Sequence, residues 1–584
     1  MAQNINSKKY QLYKDYQKNI KIFFEFLKNS QNQNEVYLKS IPVINNKEYC
    51  LIPISNIHSH DIEIINKLKN WRNKYSHTFL PSKKTNFKNT KKWLLKNVLK
   101  KKDKILFLLV KNRGTLIGHI GFANCLNKDF TFEIDNVLKG EKDQNKKIFS
   151  LALKSLIKWA NKTFCIDNIT LKVLKNNTRA IKFYEKNNFN KFVDNKNKDL
   201  RNFVSMKYID NKKVNKMILT AGPSISQKEI FYVNDAVTNG WNHNATNYIS
   251  KLEQKFANFV GSKYAISTSS CSGAMQIALM SLNLKKNDEV IVPNITWVAT
   301  AKAVIYAGAK PVFADINEDD WTINPESIIK LINKNTKAIM PVHLYGQPSK
   351  MDLIMRIAKK NNLFVIEDAA PAIGAEFKGK KCGTFGDFGA FSFQGAKLLV
   401  SGEGGMLVTN NTQLYKKALK IADYGRNKKR KFVIDGPGVK FKMSNIQAAL
   451  ALGQLERINE LVSLKRRIFY WYFNELKNIQ NIKLNFETKN TKSIYWMTSI
   501  LLNKKINLTR DSFCKKLYNL KIDTRPIFPE LSSFKIWKLK QKNSKNRKSK
   551  LISERSINLP SGVCISKKEV VYICNQIKEI LKNK

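Results

Sequence analysis

Five short apolar runs in the second half of the chain recur at the spacing of strands that alternate with helices. They are Tyr264–Ser267, Glu289–Val292, Lys310–Ala314, Ala338–Pro341 and Leu363–Glu367. Each is too short for a helix and nearly continuous in apolar character, as strands buried on both faces are. Helical patterns fall between several of them, as at Ser272–Ser281 and Met351–Lys360. Strands and helices in this order predict an α/β fold with a doubly wound, mainly parallel sheet. Such sheets bind ligands at the carboxyl ends of their strands, so those ends hold the candidate chemistry.

The strand Leu363–Glu367 runs into Glu367-Asp368-Ala369-Ala370. Beyond it, the glycine-rich run Gly386–Ala396 leads to Lys397 and closes on Ser401-Gly402-Glu403-Gly404-Gly405. A lysine inside a small, apolar run loses its charge readily and can form a Schiff base with a carbonyl. A buried aspartate needs a cationic partner. Together Lys397 and Asp368 point to pyridoxal 5'-phosphate, with the lysine on its aldehyde and the acid on its ring nitrogen. The first strand ends in Ser267-Thr268-Ser269-Ser270-Cys271-Ser272-Gly273-Ala274. Hydroxyls entering a helix N-terminus suit a phosphate, or Ser272 simply caps the helix. Trp297, after the second strand, can stack on a planar cofactor or pack in the core. His343, also just past a strand, either faces the pocket or serves as a bonded structural histidine.

At 584 residues the chain exceeds one core, and hydrophobic content of 43% is that of a globular protein. No apolar run reaches the length of a membrane span, and the first residues lack a signal-peptide core, so a cytoplasmic protein is expected. The eight cysteines are scattered, which favours reduced thiols and no metal site. The net charge of +58 comes from basic residues dispersed along the chain rather than gathered on a nucleic-acid motif. It reads as a surface bias, not as a nucleic-acid partner.

Residues 8–28 have Leu12, Tyr16, Ile20, Phe23 and Leu27 at helical spacing. Residues 30–34 read as a linker. From Lys47 to Asp210 the pattern is mixed α/β, with Ile105–Val110 and Thr115–Phe122 joined by the hairpin signal Asn112-Arg113-Gly114. Thr131, Glu133 and Asp135 alternate onto one face of a strand, and Glu133 is either a general base or part of a solvated face. The expected divisions are a helical extension at 1–46, a first domain at 47–210 and a linker at 211–217. A large cofactor domain at 218–455 and a smaller domain at 456–584 follow.

Two resemblances add to this reading. Residues 47–210 resemble the GNAT acetyltransferases in element order and in the run Asn177-Thr178-Arg179-Ala180-Ile181-Lys182-Phe183-Tyr184. The resemblance implies acetyl-CoA as cosubstrate, with Asn177 on the pantetheine arm and Tyr184 protonating the leaving thiolate. The family's pyrophosphate loop has spaced glycines, whereas here Lys139-Gly140-Glu141-Lys142-Asp143-Gln144-Asn145 has one glycine and added acids. Residues 217–584 resemble the DegT/DnrJ/EryC1/StrS sugar aminotransferases. The resemblance rests on Glu367–Ala370, Phe391-Ser392-Phe393 before Lys397, Gly402–Gly405, Met443–Ala449 and Asn558–Gly562. It implies a pyridoxal phosphate enzyme in which Lys397 is catalytic and Asp368 pairs with the ring. Ser272, Gly273 and Ser392 would hold the phosphate, and Trp297 would stack. Lys440 stands where many members place an asparagine from the neighbouring subunit, so a homodimer with shared sites is implied. The implied substrates are glutamate and a GDP-linked 4-keto-6-deoxy sugar.

Overall fold

The computed structural model describes residues 2–78, 82–166, 168–193, 202–209, 216–427, 429–430, 432–537 and 547–582. The chain divides into two compact units, one of Met1–Lys213 with Ser224–Phe231 and one of Val214–Pro223 with Tyr232–Lys584. Most of the linker expected at 211–217 lies outside the described residues.

The first unit is built on an eight-stranded sheet of order β1-β2-β3-β4-β5-β6-β8-β7. Its strands are β1 Ile41–Pro42, β2 Tyr49–Pro53, β3 Ile105–Lys111, β4 Thr115–Ala123, β5 Thr131–Lys139, β6 Asn168–Leu174, β7 Phe189–Lys191 and β8 Phe203–Tyr208. β3 and β4 form the expected hairpin, and Asn112 and Arg113 both adopt the left-handed backbone that its tight turn needs. The period of two sorts β3 between two cores. Ile105, Phe107 and Leu109 enter one core with Phe122, Phe132 and Trp159. Leu106, Leu108 and Val110 enter another with Ile65, Leu68 and Trp71.

Helix Ala2–Lys28 packs into this unit. Its residues Tyr16, Ile20, Phe23, Phe24 and Leu27 lie in the same core as Phe107 and Phe132. Burying five such side chains stabilises the unit by roughly 10 kcal/mol before entropy is counted. The segment read as a linker is also structural: Ser30 is buried, its N–H donates to Asn56 Oδ1 at 2.8 Å, and Asn32 caps helix Gln33–Leu38. A decisive feature is where β5 and β6 stop pairing. They run parallel only from Thr131 to Ile134 against Asn168 to Leu171, while β5 continues to Lys139 and β6 to Leu174.

The second unit carries a seven-stranded sheet. Its first strands are β9 Tyr264–Thr268, β10 Glu289–Pro293, β11 Lys310–Ala314, β12 Thr336–Ile339 and β13 Phe364–Asp368. The order is β11-β10-β12-β13, then Phe388–Ser392, Gly405–Thr409 and β9. Pairing is parallel from β11 through Phe388–Ser392, and Gly405–Thr409 is antiparallel to both neighbours. A four-stranded antiparallel sheet, including Ser499–Leu502 and Ser556–Asn558, packs with helices Ile458–Leu476 and Lys567–Lys582 around a further core. Among the described residues no helix is long and apolar enough to cross a membrane.

Candidate active site

β13 ends in two consecutive acids, and the pleat sends their side chains to opposite faces. Glu367 is fully buried. It accepts the N–H groups of Gly383, Phe385 and Gly386 at 2.8, 2.6 and 2.8 Å, and His343 Nε2–H at 3.0 Å. His343 is fully buried too, and its Nδ1 accepts the Ser349 N–H at 3.1 Å. That donor fixes the tautomer, with the proton on Nε2. Both nitrogens of His343 are therefore occupied by the protein. Of the two readings, these bonds support the structural histidine: His343 ties Glu367 and the Gly383–Gly386 loop to the strand end.

Asp368 faces the other way. It is almost fully buried, and its Oδ2 accepts the Thr300 hydroxyl at 2.7 Å, its Oδ1 the Ala370 N–H at 3.1 Å. Thr300 in turn lies 3.1 Å from the Thr296 hydroxyl. Burial raises the Asp368 carboxyl above its ordinary range, opposed by the Thr300 hydroxyl, the Ala370 N–H and then the Lys397 charge. This is a carboxylate whose surroundings reward a cationic donor.

Lys397 sits in the turn after strand Phe388–Ser392. The turn is pinned by Gly395 N–H to Gly402 O at 2.9 Å and Phe393 N–H to Gly404 O at 2.9 Å. Gly404 has φ +151°, and a Cβ there would meet Ser401 Oγ at 2.6 Å, so this position requires glycine. The lysine Nζ lies 3.9 Å from the centre of the Trp496 ring. Burial lowers its amine below the usual lysine range, against the opposing pull of Asp368 and Cys271.

Helix Cys271–Met280 starts beside them. Its cap is Ser270, which accepts the Gly273 N–H at 3.1 Å. Ser272 therefore does not cap, and its side chain is exposed at the helix start. Gly273 is buried, and a Cβ there would press on Phe441 at 3.0 Å. Because its N–H is already bonded, Gly273 serves close packing rather than donation. Ser392 is buried and accepts the Gln394 N–H at 3.4 Å. Trp297 is 59% exposed, with its ring 5.7 Å from that of Phe528. Lys440 is exposed, with Nζ 5.7 Å from the Tyr424 ring. Sequence reasoning missed Thr300, Glu367 and Trp496. Thr300 stands one helical turn after Thr296, a signal that was there to find.

In the first unit, Asn177 Oδ1 accepts the Ala180 N–H at 3.1 Å and so caps helix Thr178–Glu185. Tyr184 is buried between Phe183 and Phe189, and burial, with Asp135 adding, raises its hydroxyl far above the ordinary range. Thr131, Glu133 and Asp135 do share the half-buried face of β5. Glu133 accepts Asn124 Nδ2–H at 2.8 Å, and Asp135 pairs with Lys104. The acids of the 139–145 loop turn inward. Glu141 accepts Trp71 Nε1–H at 2.9 Å, and Asp143 accepts the Tyr49 hydroxyl at 2.9 Å and the Asn145 N–H at 2.8 Å. Lys142, Lys146 and Lys147 remain exposed beside the start of helix Ile148–Phe164.

Residues 223–578 match the DegT/DnrJ/EryC1/StrS aminotransferase family. The chain belongs to that family. Residues 66–189 match the acetyltransferase (GNAT) family, so the N-terminal unit carries a GNAT domain. The chain is 38% identical to GDP-perosamine synthase of Escherichia coli O157:H7 over 362 residues, 62% of this chain and 98% of that one. It is 35% identical to GDP-perosamine synthase of Vibrio cholerae over the same length and shares. The aminotransferase from Psychrobacter cryohalolentis superposes with a TM-score of 0.59 at 27% identity, covering 62% of this chain and 99% of that one. The DegT/DnrJ/EryC1/StrS unit is a pyridoxal phosphate-dependent aminotransferase, and its residues fit that cofactor. Asp368 is a buried acid lacking a full cationic partner, Lys397 is a half-buried amine, and Ser272 opens a helix N-terminus suited to phosphate.

Proposed function

We propose that the aminotransferase unit moves the amino group of glutamate to the keto carbon of a nucleotide-linked 4-keto-6-deoxy sugar, as a perosamine synthase does. The observation that carries this reading is the buried Asp368 carboxylate, held by Thr300 and the Ala370 N–H at a strand end, in a chain 38% identical to a GDP-perosamine synthase. When bound, pyridoxal phosphate supplies an aldehyde that takes up amines and a ring that accepts electrons from the neighbouring carbon. Asp368 holds a proton on the ring nitrogen, and Thr300 fixes the carboxylate that does so. Lys397 moves a proton off and onto the substrate carbon, which its lowered basicity favours. Ser272 and Ser392 would hold the phosphate, Trp297 would stack on the ring, and Lys440 would serve a neighbouring subunit's site in a homodimer. Glutamate leaves as 2-oxoglutarate, and the ketone becomes an amine.

The GNAT unit would then acetylate that amine with acetyl-CoA. Glu133 takes the amine proton, directly or through water, as nitrogen attacks the thioester carbonyl. The C–S bond breaks, and Tyr184, whose burial keeps it protonated, gives a proton to the departing sulfur. Asn177, at the head of the helix after β6, would take the pantetheine arm. A second reading leaves this unit without acetyl transfer. It is favoured by Asp143 and Asn145, whose side chains already take the Asn145 and Lys147 N–H groups that a pyrophosphate would seek.

The test is incubation of the purified chain with glutamate and a panel of GDP- and dTDP-linked 4-keto-6-deoxy sugars, read by mass, with and without acetyl-CoA. An aminated GDP-sugar supports the first half, and its acetylated form the second. An unchanged panel with 2-oxoglutarate absent overturns the sugar reading. An amine that stays unacetylated selects the second reading.

A further inference from the structure

A row of aromatic rings runs up to Lys397. Trp297 meets Phe528 at 5.7 Å, Phe528 stacks on Tyr345 at 5.4 Å, and Tyr345 stacks on Trp496 at 5.9 Å. The links from Phe528 to Trp496 are held by hydrogen bonds. The Tyr345 hydroxyl accepts the Phe528 N–H at 3.1 Å, the Trp496 N–H donates to Tyr345 O at 2.9 Å, and Trp496 Nε1–H donates to Ala396 O at 2.9 Å. Tyr345 adopts a left-handed backbone (φ +52°) inside the turn Leu344–Gly346, a conformation costly for a bulky side chain. The indole of Trp496 is thereby fixed in plane and position. Its face lies 3.9 Å from the Lys397 Nζ, well within the range at which a ring attracts an ammonium.

We propose that Trp496 is a positioning residue, whose indole face docks the Lys397 ammonium whenever that amine is not bonded to the cofactor. The amine must leave the cofactor each time a substrate amine replaces it, and must return to the same place to move a proton. A flexible four-carbon side chain needs a surface that holds it meanwhile. The Trp496 ring lies against the amine, and the fields of Asp368 from β13 and Cys271 from the start of helix Cys271–Met280 also reach it. The acid alone would draw the ammonium onto the group the ring nitrogen needs. The indole, whose Nε1–H donates to the carbonyl of Ala396 beside the lysine, offers it a neutral alternative.

This rests on Lys397 being the amine that bonds the cofactor, which loss of visible absorbance in K397A checks separately. The test of Trp496 is the pH profile of Lys397 acetylation by acetic anhydride in the full chain dialysed free of pyridoxal phosphate, read by peptide mass. Docking favours the charged amine, so W496L lowers the Lys397 pKa by about 0.5–1 unit and speeds labelling near neutral pH roughly three- to ten-fold. W496F, with a weaker ring, shows a smaller shift. If the indole merely excludes water, its removal rehydrates the amine and the pKa rises, which overturns the proposal. An unchanged profile, or equal shifts in W496F and W496L, also overturns it. Buried Lys465 is the internal control: its amine is lowered to about 7 by burial alone, and it stays unlabelled in a folded chain. Should W496L expose Lys465, W496F decides alone, and a wild-type profile there overturns the proposal.

Discussion

The Thr300 hydroxyl donates to Asp368 Oδ2 at 2.7 Å, from the first turn of the helix that follows β10. It is the shorter of the two hydrogen bonds that hold this carboxylate. T300V removes it without changing side-chain shape. A hydrogen bond to a charged group contributes roughly 1.5–3 kcal/mol, so kcat for transamination should fall about ten- to hundred-fold. Steady-state kinetics with glutamate check this. T300S, which keeps the donor, should restore most of the rate.

Asp368 also sets a pH dependence in the cofactor-free chain. Its folded-state pKa is raised by burial. An acid of this kind stabilises the fold below its ordinary range, and that contribution is lost as pH rises through the folded value. D368N removes the loss. The Tm of cofactor-free D368N minus that of wild type should therefore increase from acid to neutral pH, while pyridoxal phosphate binding weakens. A difference that stays flat across that window would contradict the buried, unpaired charge.

Glu367 and His343 give the opposite outcome. E367Q replaces a fully buried carboxylate that accepts four hydrogen bonds with an amide whose NH₂ must face a donor. Urea denaturation should show a loss of roughly 2–4 kcal/mol. H343Q should cost stability but leave kcat within about ten-fold of wild type. K397A should abolish turnover outright. A kcat loss in H343Q comparable to that in K397A would restore the histidine to the chemistry.

In the N-terminal unit, F24A tests whether the first helix is structural. Phe24 is almost fully buried with its ring against Phe132 and Phe164. Truncation should cost about 3–5 kcal/mol of that unit's stability and leave transamination intact. Thermal unfolding followed alongside aminotransferase activity separates the two.

Asp143 tests the acetyl-CoA site. D143A releases the Asn145 N–H and the Tyr49 hydroxyl from the loop acid. If the pyrophosphate uses this helix start, acetyl-CoA affinity should rise by roughly three- to ten-fold in calorimetry, since a like charge leaves the site and a donor is freed.

The sheet of the second unit was legible because strands buried on both faces are short, continuous and apolar, and their ends point to one edge. Helix Met351–Lys360 begins and ends where its pattern does, and β11 spans Lys310–Ala314 as read. What the pattern hid was partnership across the chain. Glu367 and Asp368 look alike in sequence, and only the pleat tells which one faces Thr300 and which one faces His343. Ser270 and Ser272 compete as caps, and backbone angles decide for Ser270. Trp496 lies about a hundred residues beyond Lys397, and no local period joins them. The first helix was read from its spacing, but nothing in spacing says what an amphipathic face will cover.

The two acids at the end of β13 have one more consequence. A single-residue insertion or deletion ahead of them would swap their faces, because side chains alternate strictly along a strand. The histidine knot would then receive the wrong carboxylate at the same moment as the reaction centre did. Damage at this point cannot spare the shape while silencing the enzyme, so natural selection for a foldable chain also guards its chemistry.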